Sequence, residues 1–269
     1  MLGRHHLAIS SATILPFLIP LFFINAGNIM TYALGFLLAV IIGSLIPDAD
    51  CGGNAKLHYD FQIVDDAMKK LIMPLVIYLF KIISKKKATV YEVKEEHRGI
   101  MHAPAGIILS SIILTLLGTI LLIIFKLFSF ILLIIIFIGV LIGQLLHILE
   151  DSCTIAGINW KFPFGDKIIA GKIHTWNRRD ARPMIYEISL FILSGAIFLL
   201  YAFNKISLNL WVLYPLILIA VTLFWFIFIG LSKLNQDFWT MSEEVAKGLS
   251  QFKRRTNKEI NNYSKNGQI

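Results

Sequence analysis

Residues 128–151 read FSFILLIIIFIGVLIGQLLHILED, and this stretch decides the fold. Its first 22 residues contain no Lys, Arg, Asp or Glu, and a helix of that length crosses the ~30 Å hydrocarbon core of a bilayer. The run ends in His147 and Asp151, four residues apart, which a helix presents on one face. An imidazole and a carboxylate so placed suit a divalent metal ion. A polar helix end lying among lipid headgroups is the alternative interpretation.

The composition of the whole chain also indicates a membrane protein. Of 269 residues, 57% are hydrophobic and only 16% are charged, and a soluble chain this apolar has too few polar groups to cover its surface. We therefore predict an all-α, polytopic membrane protein with about six transmembrane helices. An amphipathic interfacial helix is expected at residues 72–83, which are apolar, too short to span and flanked by lysines. The six predicted spans are residues 7–24, 30–46, 103–125, 128–149, 185–203 and 208–231.

The chain divides into three expected parts. Residues 1–164 contain the His/Asp motifs and form the first. Residues 165–231 form a polar loop and the last two spans. Residues 232–269 form a basic tail.

The positive charges predict the orientation of the spans. If six spans alternate, 23 of the 25 Lys and Arg residues fall on one face, and only Lys126 and Lys205 fall on the other. Cytoplasmic loops are enriched in these residues, so both termini are predicted to be cytoplasmic in a multi-pass protein of the plasma membrane. The net charge of +8 then reflects topology and attraction to anionic membrane lipid. We do not expect a nucleic-acid partner.

The same topology collects most histidines at one face. The clusters are His5-His6 before the first span, Asp48-x-Asp50 after the second, residues 97–102 before the third, and residues 147–151 at the end of the fourth. Interfacial anchoring explains the location of these residues but not their His-x3-Asp and Asp-x-Asp spacings. The pattern favours a shared metal site.

These motifs together resemble the YdjM-like family, whose members are regarded as membrane-bound, metal-dependent hydrolases. The resemblance rests on His6-Leu7, residues 45–50, His97-Arg98-Gly99-x-x-His102 and residues 143–157, and it covers roughly residues 1–164. This chain has Met101-His102-Ala103 where the family commonly has Thr-His-Ser, so two hydroxyl groups are absent here. Carried over position by position, the resemblance implies seven metal ligands: His6, Asp48, Asp50, His97, His102, His147 and Asp151.

The resemblance implies hydrolysis by a metal-activated water that attacks an ester or phosphoester, in a site at the cytoplasmic membrane face. Seven ligands suit one or two ions, and a mixed nitrogen and oxygen set allows zinc, manganese or iron. Arg98 is expected to hold an anionic group, as are Arg178, Arg179 and Arg182. Glu150 is expected to act as a general base or to support a ligand. The position of the site at headgroup level makes an anionic amphiphile, such as a lipid, the expected substrate.

Two other classes of function remain as alternatives. A non-catalytic membrane scaffold would use the same residues to hold a structural metal. A transporter would need ionisable groups near the bilayer midplane. The middles of the six predicted spans contain no Asp, Glu, Lys, Arg or His, which argues against a transporter.

Overall fold

The computed structural model describes residues 3–24, 27–50, 66, 68–84, 99–162, 168–174, 180–203 and 209–234. Within these ranges the chain forms seven α-helices, two short strands, two 3-10 turns and one π turn. The predicted all-α membrane architecture is confirmed. The α-helices are α1 (Gly3–Phe22), α2 (Ile29–Leu45), α3 (Met73–Ser84), α4 (Pro104–Ile124), α5 (Phe130–Ser152), α6 (Arg182–Ala202) and α7 (Leu210–Leu231).

Five of the described helices are long and apolar enough to cross a membrane, namely α1, α4, α5, α6 and α7. Helix α2 corresponds to the remaining predicted span but has only 17 residues, which gives a length of about 25 Å. That length is at the lower end of the range for transmembrane helices. The predicted basic tail beyond residue 234 lies outside the described residues.

Small residues let α2 and α5 approach each other closely. A Cβ atom at Gly43 would lie 2.4 Å from the carbonyl oxygen of Val140, and one at Gly143 would lie 2.2 Å from that of Val40. Lipid tails are as apolar as leucine, so helices in a membrane associate through close packing at small residues of this kind. The contact fixes the end of α2 beside the end of α5.

The predicted interfacial helix is present as a π turn at Met68–Ile72 followed by α3. Met68, Ile72, Val76 and Phe80, spaced four apart, are buried in one apolar cluster with residues of α2, α4 and α5. The opposite face is exposed at Leu71, Leu75, Tyr78 and Ile82. This segment therefore packs against the bundle with one apolar stripe and presents a second one outward.

Helix α1 joins the two halves of the bundle. It packs along α2 on one side and along α6 on the other, and Ile9, Leu190 and Phe228 belong to one buried cluster that connects α1, α6 and α7. After α5, a short antiparallel pair links β1 (Ile158–Asn159) to β2 (Ile168–Ile169). The boundaries of the three expected parts of the chain remain a prediction.

Candidate metal centre

Four segments of the chain meet at one end of the helix bundle. The first turn of α1 contributes His6, and the 3-10 turn Pro47–Asp50 after α2 contributes Asp48. The 3-10 turn Ile100–His102, which precedes α4, contributes His102, and the last turns of α5 contribute His147 and Asp151. Alternating helix directions bring these sequence-distant residues to the same end of the bundle. We call His6, Asp48, His102, His147 and Asp151 the five-residue cluster.

The donor atoms of this cluster converge. His6 Nε2 lies 3.3 Å from Asp151 Oδ1, and His147 Nε2 lies 3.5 Å from Asp48 Oδ1. His102 Nε2 is 3.8 Å from Asp151 Oδ2 and 3.9 Å from Asp48 Oδ1. Two groups of three could hold a metal ion: His6, His147 and Asp151 in one, and Asp48, His102 and His147 in the other. Both groups include His147.

Hydrogen bonds outside the cluster orient two of the imidazole rings. His147 Nδ1 lies 2.7 Å from the backbone carbonyl oxygen of Ser44. A carbonyl only accepts, so Nδ1 carries the proton and the Nε2 lone pair faces the cluster. The Glu150 carboxyl bonds His6 Nδ1 at 2.8 Å and accepts from Ser10 Oγ at 3.2 Å. The two rings stack with their centroids 3.8 Å apart.

The 3-10 turn that contains His102 is held by a close backbone contact. A Cβ atom at Gly106, in the first turn of α4, would lie 1.8 Å from the carbonyl oxygen of Ile100. Only glycine leaves room for the turn to fold back over α4. The His102 side chain is thereby directed into the interior, where it is fully buried.

The motif at the end of α5 acquires a structural explanation at each position. Gly143 permits the contact with α2, and His147 and Asp151, four and eight residues later, belong to the cluster. Thr154 Oγ1 donates a hydrogen bond to the backbone carbonyl of Asp151 at 2.7 Å and so caps the helix. Gly157 has a φ of +61°, a left-handed conformation that turns the chain into β1.

The structure does not bring every predicted site residue into the description of the cluster. His97, Arg98, Arg178 and Arg179 are outside the described residues, as is the side chain of Asp50. His5 does not join the cluster, because its Nδ1 bonds Glu187 Oε2 on α6 at 3.1 Å.

Arg182, expected to hold an anionic group, has a different set of partners. Its guanidinium donates to the Asp180 carboxylate and to the backbone carbonyls of Lys172 and Leu231. This clasp ties the start of α6 to the end of α7, where a cation also complements the helix dipole. The hydrogen bonds from Arg182 lower the pKa of Asp180 to about 2.

Cys153 adjoins the cluster in sequence but belongs to the apolar core. It is fully buried among residues of α1, α6 and α7, and burial raises the pKa of its thiol to about 11. The thiol is therefore neutral at physiological pH, and the residue packs as a small buried side chain.

Comparison with known families gives a direct match. The model of the YdjM inner membrane protein family matches residues 1–232. The chain belongs to this family. The predicted resemblance is confirmed, and the matched region extends through α7 rather than stopping near residue 164. No curated protein and no solved structure matches the chain.

Sequence reasoning missed two supports of the cluster in this YdjM family member. Ser10 lies one helical turn after His6, so its hydroxyl reaches the same carboxyl group, Glu150. Polar residues four apart on an otherwise apolar helix would have been a usable signal. The contact of His147 with the carbonyl of Ser44 involves only backbone on the Ser44 side, and no sequence pattern marks it.

Proposed function

We propose that this YdjM family member is a metal-dependent hydrolase of the membrane, with its centre at the cytoplasmic ends of the helices. One observation carries the proposal. Three imidazole Nε2 atoms and two carboxylates meet in the interior of an apolar helix bundle, although each is expensive to bury there. A bound cation would offset that cost, because it would interact favourably with every one of these groups.

The distances within the cluster fit a metal ion. Ligand atoms around an ion with bonds of about 2.1 Å are about 3.4 Å apart in a tetrahedral arrangement. They are about 3.0 Å apart at neighbouring positions of an octahedral one. The four nitrogen–oxygen separations given above run from 3.3 Å to 3.9 Å, and all donor atoms of each group of three lie within 4.8 Å of one another. Three imidazoles favour zinc, manganese or iron over magnesium or calcium, which prefer oxygen ligands throughout.

The shared histidine favours a single ion among the described residues. His147 Nδ1 is engaged with Ser44, so His147 offers only one nitrogen, and one lone pair binds one ion. The two groups of three therefore describe one position with up to five ligands. A second ion would have to be held by the remaining candidates, Asp50 and His97, together with a bridging carboxylate.

The chemistry assigned to the site divides between the ion and the chain. A divalent ion bound here would supply a water of lowered pKa and would polarise the oxygen of an ester or phosphoester. The chain's own residues hold and shield that ion. Glu150 and Ser10 fix the ring of His6, and Ser44 fixes that of His147. Both are orienting contacts of the kind that raise the affinity of metal-bound histidine. Glu150 is thus a positioning residue in this proposal rather than a general base.

The orientation of the site follows from the distribution of charge. In the sequence, 23 of the 25 Lys and Arg residues fall in segments on the same side of the predicted spans as the five-residue cluster, and only Lys126 and Lys205 fall in segments between spans on the other side. The positive-inside rule assigns the basic side to the cytoplasm. We therefore place the centre and both termini on the cytoplasmic face.

A structural metal site is the second candidate function. The side chains of His6, His102, His147 and Asp151 are at most 1% exposed, and closed sites of this kind often stabilise a fold without catalysing a reaction. The side chain of Asp48 is 13% exposed. This partial exposure favours an enzyme, because a substrate must be able to reach a catalytic metal ion.

Hydrolysis of defined substrates separates the two candidates. Purified protein is assayed with p-nitrophenyl phosphate, p-nitrophenyl esters and phospholipid vesicles, before and after chelation and after return of zinc, manganese or iron. We expect turnover that chelation abolishes and a metal restores. Stoichiometric metal without turnover of any of these substrates would favour the structural metal site over the hydrolase. The His5→Ala variant is the matched control, since His5 neighbours His6 but does not join the cluster.

A further inference from the structure

Tyr186, in the second turn of α6, places a hydroxyl group in the apolar interior of the bundle. The residue is 5% exposed, and its Oη atom has no hydrogen-bond partner among the described residues. Burial of a hydroxyl group without a partner is unfavourable, because its hydrogen bonds to water are lost. A phenylalanine would make the same ring contacts at lower cost. The ring contacts alone therefore do not account for this hydroxyl group.

A second buried donor of the same kind adjoins Tyr186. The ring of Trp225, on α7, meets the ring of Tyr186 edge to face with the centroids 5.4 Å apart. Trp225 is 8% exposed, and within the described part of the chain its Nε1 atom likewise has no partner. An indole N–H only donates, whereas a phenol hydroxyl both donates and accepts. The two side chains thus bring two donors to one region between α6 and α7.

The carboxyl group of Glu150 lies close to this region. Ser10 of α1 donates to Glu150, and the preceding residue, Ile9, belongs to one buried cluster with Tyr186. Cys153 follows Glu150 by three residues on the same surface of α5 and belongs to that cluster too. The hydroxyl group of Tyr186 interacts electrostatically with both Glu150 and Cys153. It makes no direct hydrogen bond to either.

The chemistry of these groups selects the molecule that would connect them. The two oxygen atoms of Glu150 bind His6 and Ser10, and each oxygen has a second acceptor position. A connecting molecule must accept from Tyr186 or Trp225 and donate to Glu150. Water does both, and internal waters occupy buried positions of this kind. A metal cation accepts no hydrogen bond, and an anion would be repelled by the carboxylates.

We propose that Tyr186 is a positioning residue for the metal centre, because its hydroxyl group binds the Glu150 carboxyl group through one internal water molecule. Glu150 in turn holds the ring of His6. Trp225 donates to the same water. The inference rests on the proposed metal centre and adds a support from α6 and α7, which contribute no member of the five-residue cluster. It links the second half of the bundle to a metal ligand.

Radiolytic labelling tests the water independently of metal and activity. A short X-ray pulse produces hydroxyl radicals from water molecules, including internal ones, and these radicals oxidise adjacent side chains. The natural chain in detergent is irradiated in ¹⁸O-labelled water, and mass spectrometry locates the added oxygen. After correction for intrinsic reactivity, we expect heavier labelling of Tyr186 and Trp225 than of Phe80, which is 2% exposed in an apolar cluster. Labelling of Tyr186 no greater than that of Phe80 would overturn the proposal.

Zinc affinity tests the positioning role. Competition with a chelator is measured for Tyr186→Phe and for the control Tyr201→Phe, whose residue lies about 22 Å farther along α6. We expect Tyr186→Phe to lower the affinity about tenfold, the lower end of the range for residues that orient metal ligands, and the control to leave it unchanged. A purely structural role would lower Tm in Tyr186→Phe without changing the affinity, and that result would overturn the proposal.

A double-mutant cycle tests whether Tyr186 acts through Glu150. We expect Tyr186→Phe to have no further effect on zinc affinity when Glu150→Ala is already present, since the water then has no carboxyl group to bind. An equal loss in both backgrounds would exclude the connection through Glu150.

Failure of this inference is distinguishable from failure of the proposed function. A chain that binds zinc but hydrolyses no substrate would overturn the hydrolase proposal, and the affinity of Tyr186→Phe would still decide the positioning role. A natural chain that binds no zinc would overturn both the metal centre and the positioning role, whatever the labelling of Tyr186.

Discussion

Glu150 and His6, 144 residues apart in sequence, form a hydrogen bond of 2.8 Å between Oε2 and Nδ1 in the fully buried interior. The bond joins the last turn of α5 to the first turn of α1 and leaves His6 Nε2 directed at Asp151. A carboxyl group that orients a histidine in this way is typical of the surroundings of metal ligands.

Removal of the Glu150 carboxyl should weaken metal binding. We expect Glu150→Ala to reduce metal affinity about 10- to 100-fold, and Glu150→Gln to recover part of the loss because its amide oxygen still accepts from Nδ1. Competition with a chelator of known affinity measures both variants. Glu187→Gln is the matched control, since Glu187 makes the equivalent bond to His5 outside the cluster. An affinity unchanged in Glu150→Ala would contradict the positioning role.

The close contact of α2 with α5 should be sensitive to a single methyl group. Gly43→Ala and Gly143→Ala place a Cβ atom within 2.4 Å of a backbone oxygen on the facing helix, and overpacking of this kind costs about 1–3 kcal/mol. Gly118→Ala is the control, because nothing lies within 4 Å of its added Cβ atom. Thermal unfolding in detergent should show a lower Tm for the first two variants only. Equal Tm values for all three would show that the helices are not in close contact.

Gln144 should couple α5 to α4 by hydrogen bonds that are independent of the metal. Its side chain accepts from Ser110 at 2.7 Å and donates to Ser111 at 2.9 Å. Interhelical hydrogen bonds in membranes contribute modestly, so Gln144→Leu should cost about 1 kcal/mol without lowering metal content. Adding Ser111→Ala to Gln144→Leu should cost less than Ser111→Ala costs alone. Additive losses in this double-mutant cycle would contradict the coupling.

The clasp between Asp180 and Arg182 should respond to acid. The pKa of Asp180 is lowered to about 2 from an ordinary value near 3.8. Its stabilising contribution is therefore complete above pH 4 and is lost as the pH falls through 2. Asp180→Asn should lower the free energy of unfolding by about 1 kcal/mol at pH 6, and the difference from the natural chain should vanish near pH 2. A difference that is independent of pH would exclude this ion pair as its source.

Much of this architecture is predictable because the lengths of the apolar runs and the positions of the charged residues can be read directly from the sequence. The run at residues 128–149 specifies a spanning helix, and alternation of the spans places His6 and His147 at the same end. Which of the adjacent residues His5 and His6 faces the other His/Asp motifs was harder to predict, because the two differ only in the helix face on which they lie. In the structure His6 lies in the five-residue cluster, whereas His5 bonds Glu187.

Other features depend on contacts that a local pattern does not record. Arg182 resembled a member of an anion-binding cluster with Arg178 and Arg179, yet its partners are a carboxylate two residues away and a carbonyl 49 residues away. The role of Glu150 likewise depends on a partner from another helix. The four-residue spacing of His147 and Asp151 reports only that they share a face.

The metal content of the purified chain tests the central claim most directly. Elemental analysis is performed on the natural chain, His147→Ala, the isosteric Asp151→Asn, and the control His5→Ala, each verified as folded by circular dichroism. We predict about one zinc, manganese or iron per chain in the natural protein and in His5→Ala, and at most about a tenth of that in the two cluster variants. A folded natural chain without a divalent ion, or cluster variants that retain the full amount, would contradict a metal centre at His6, Asp48, His102, His147 and Asp151.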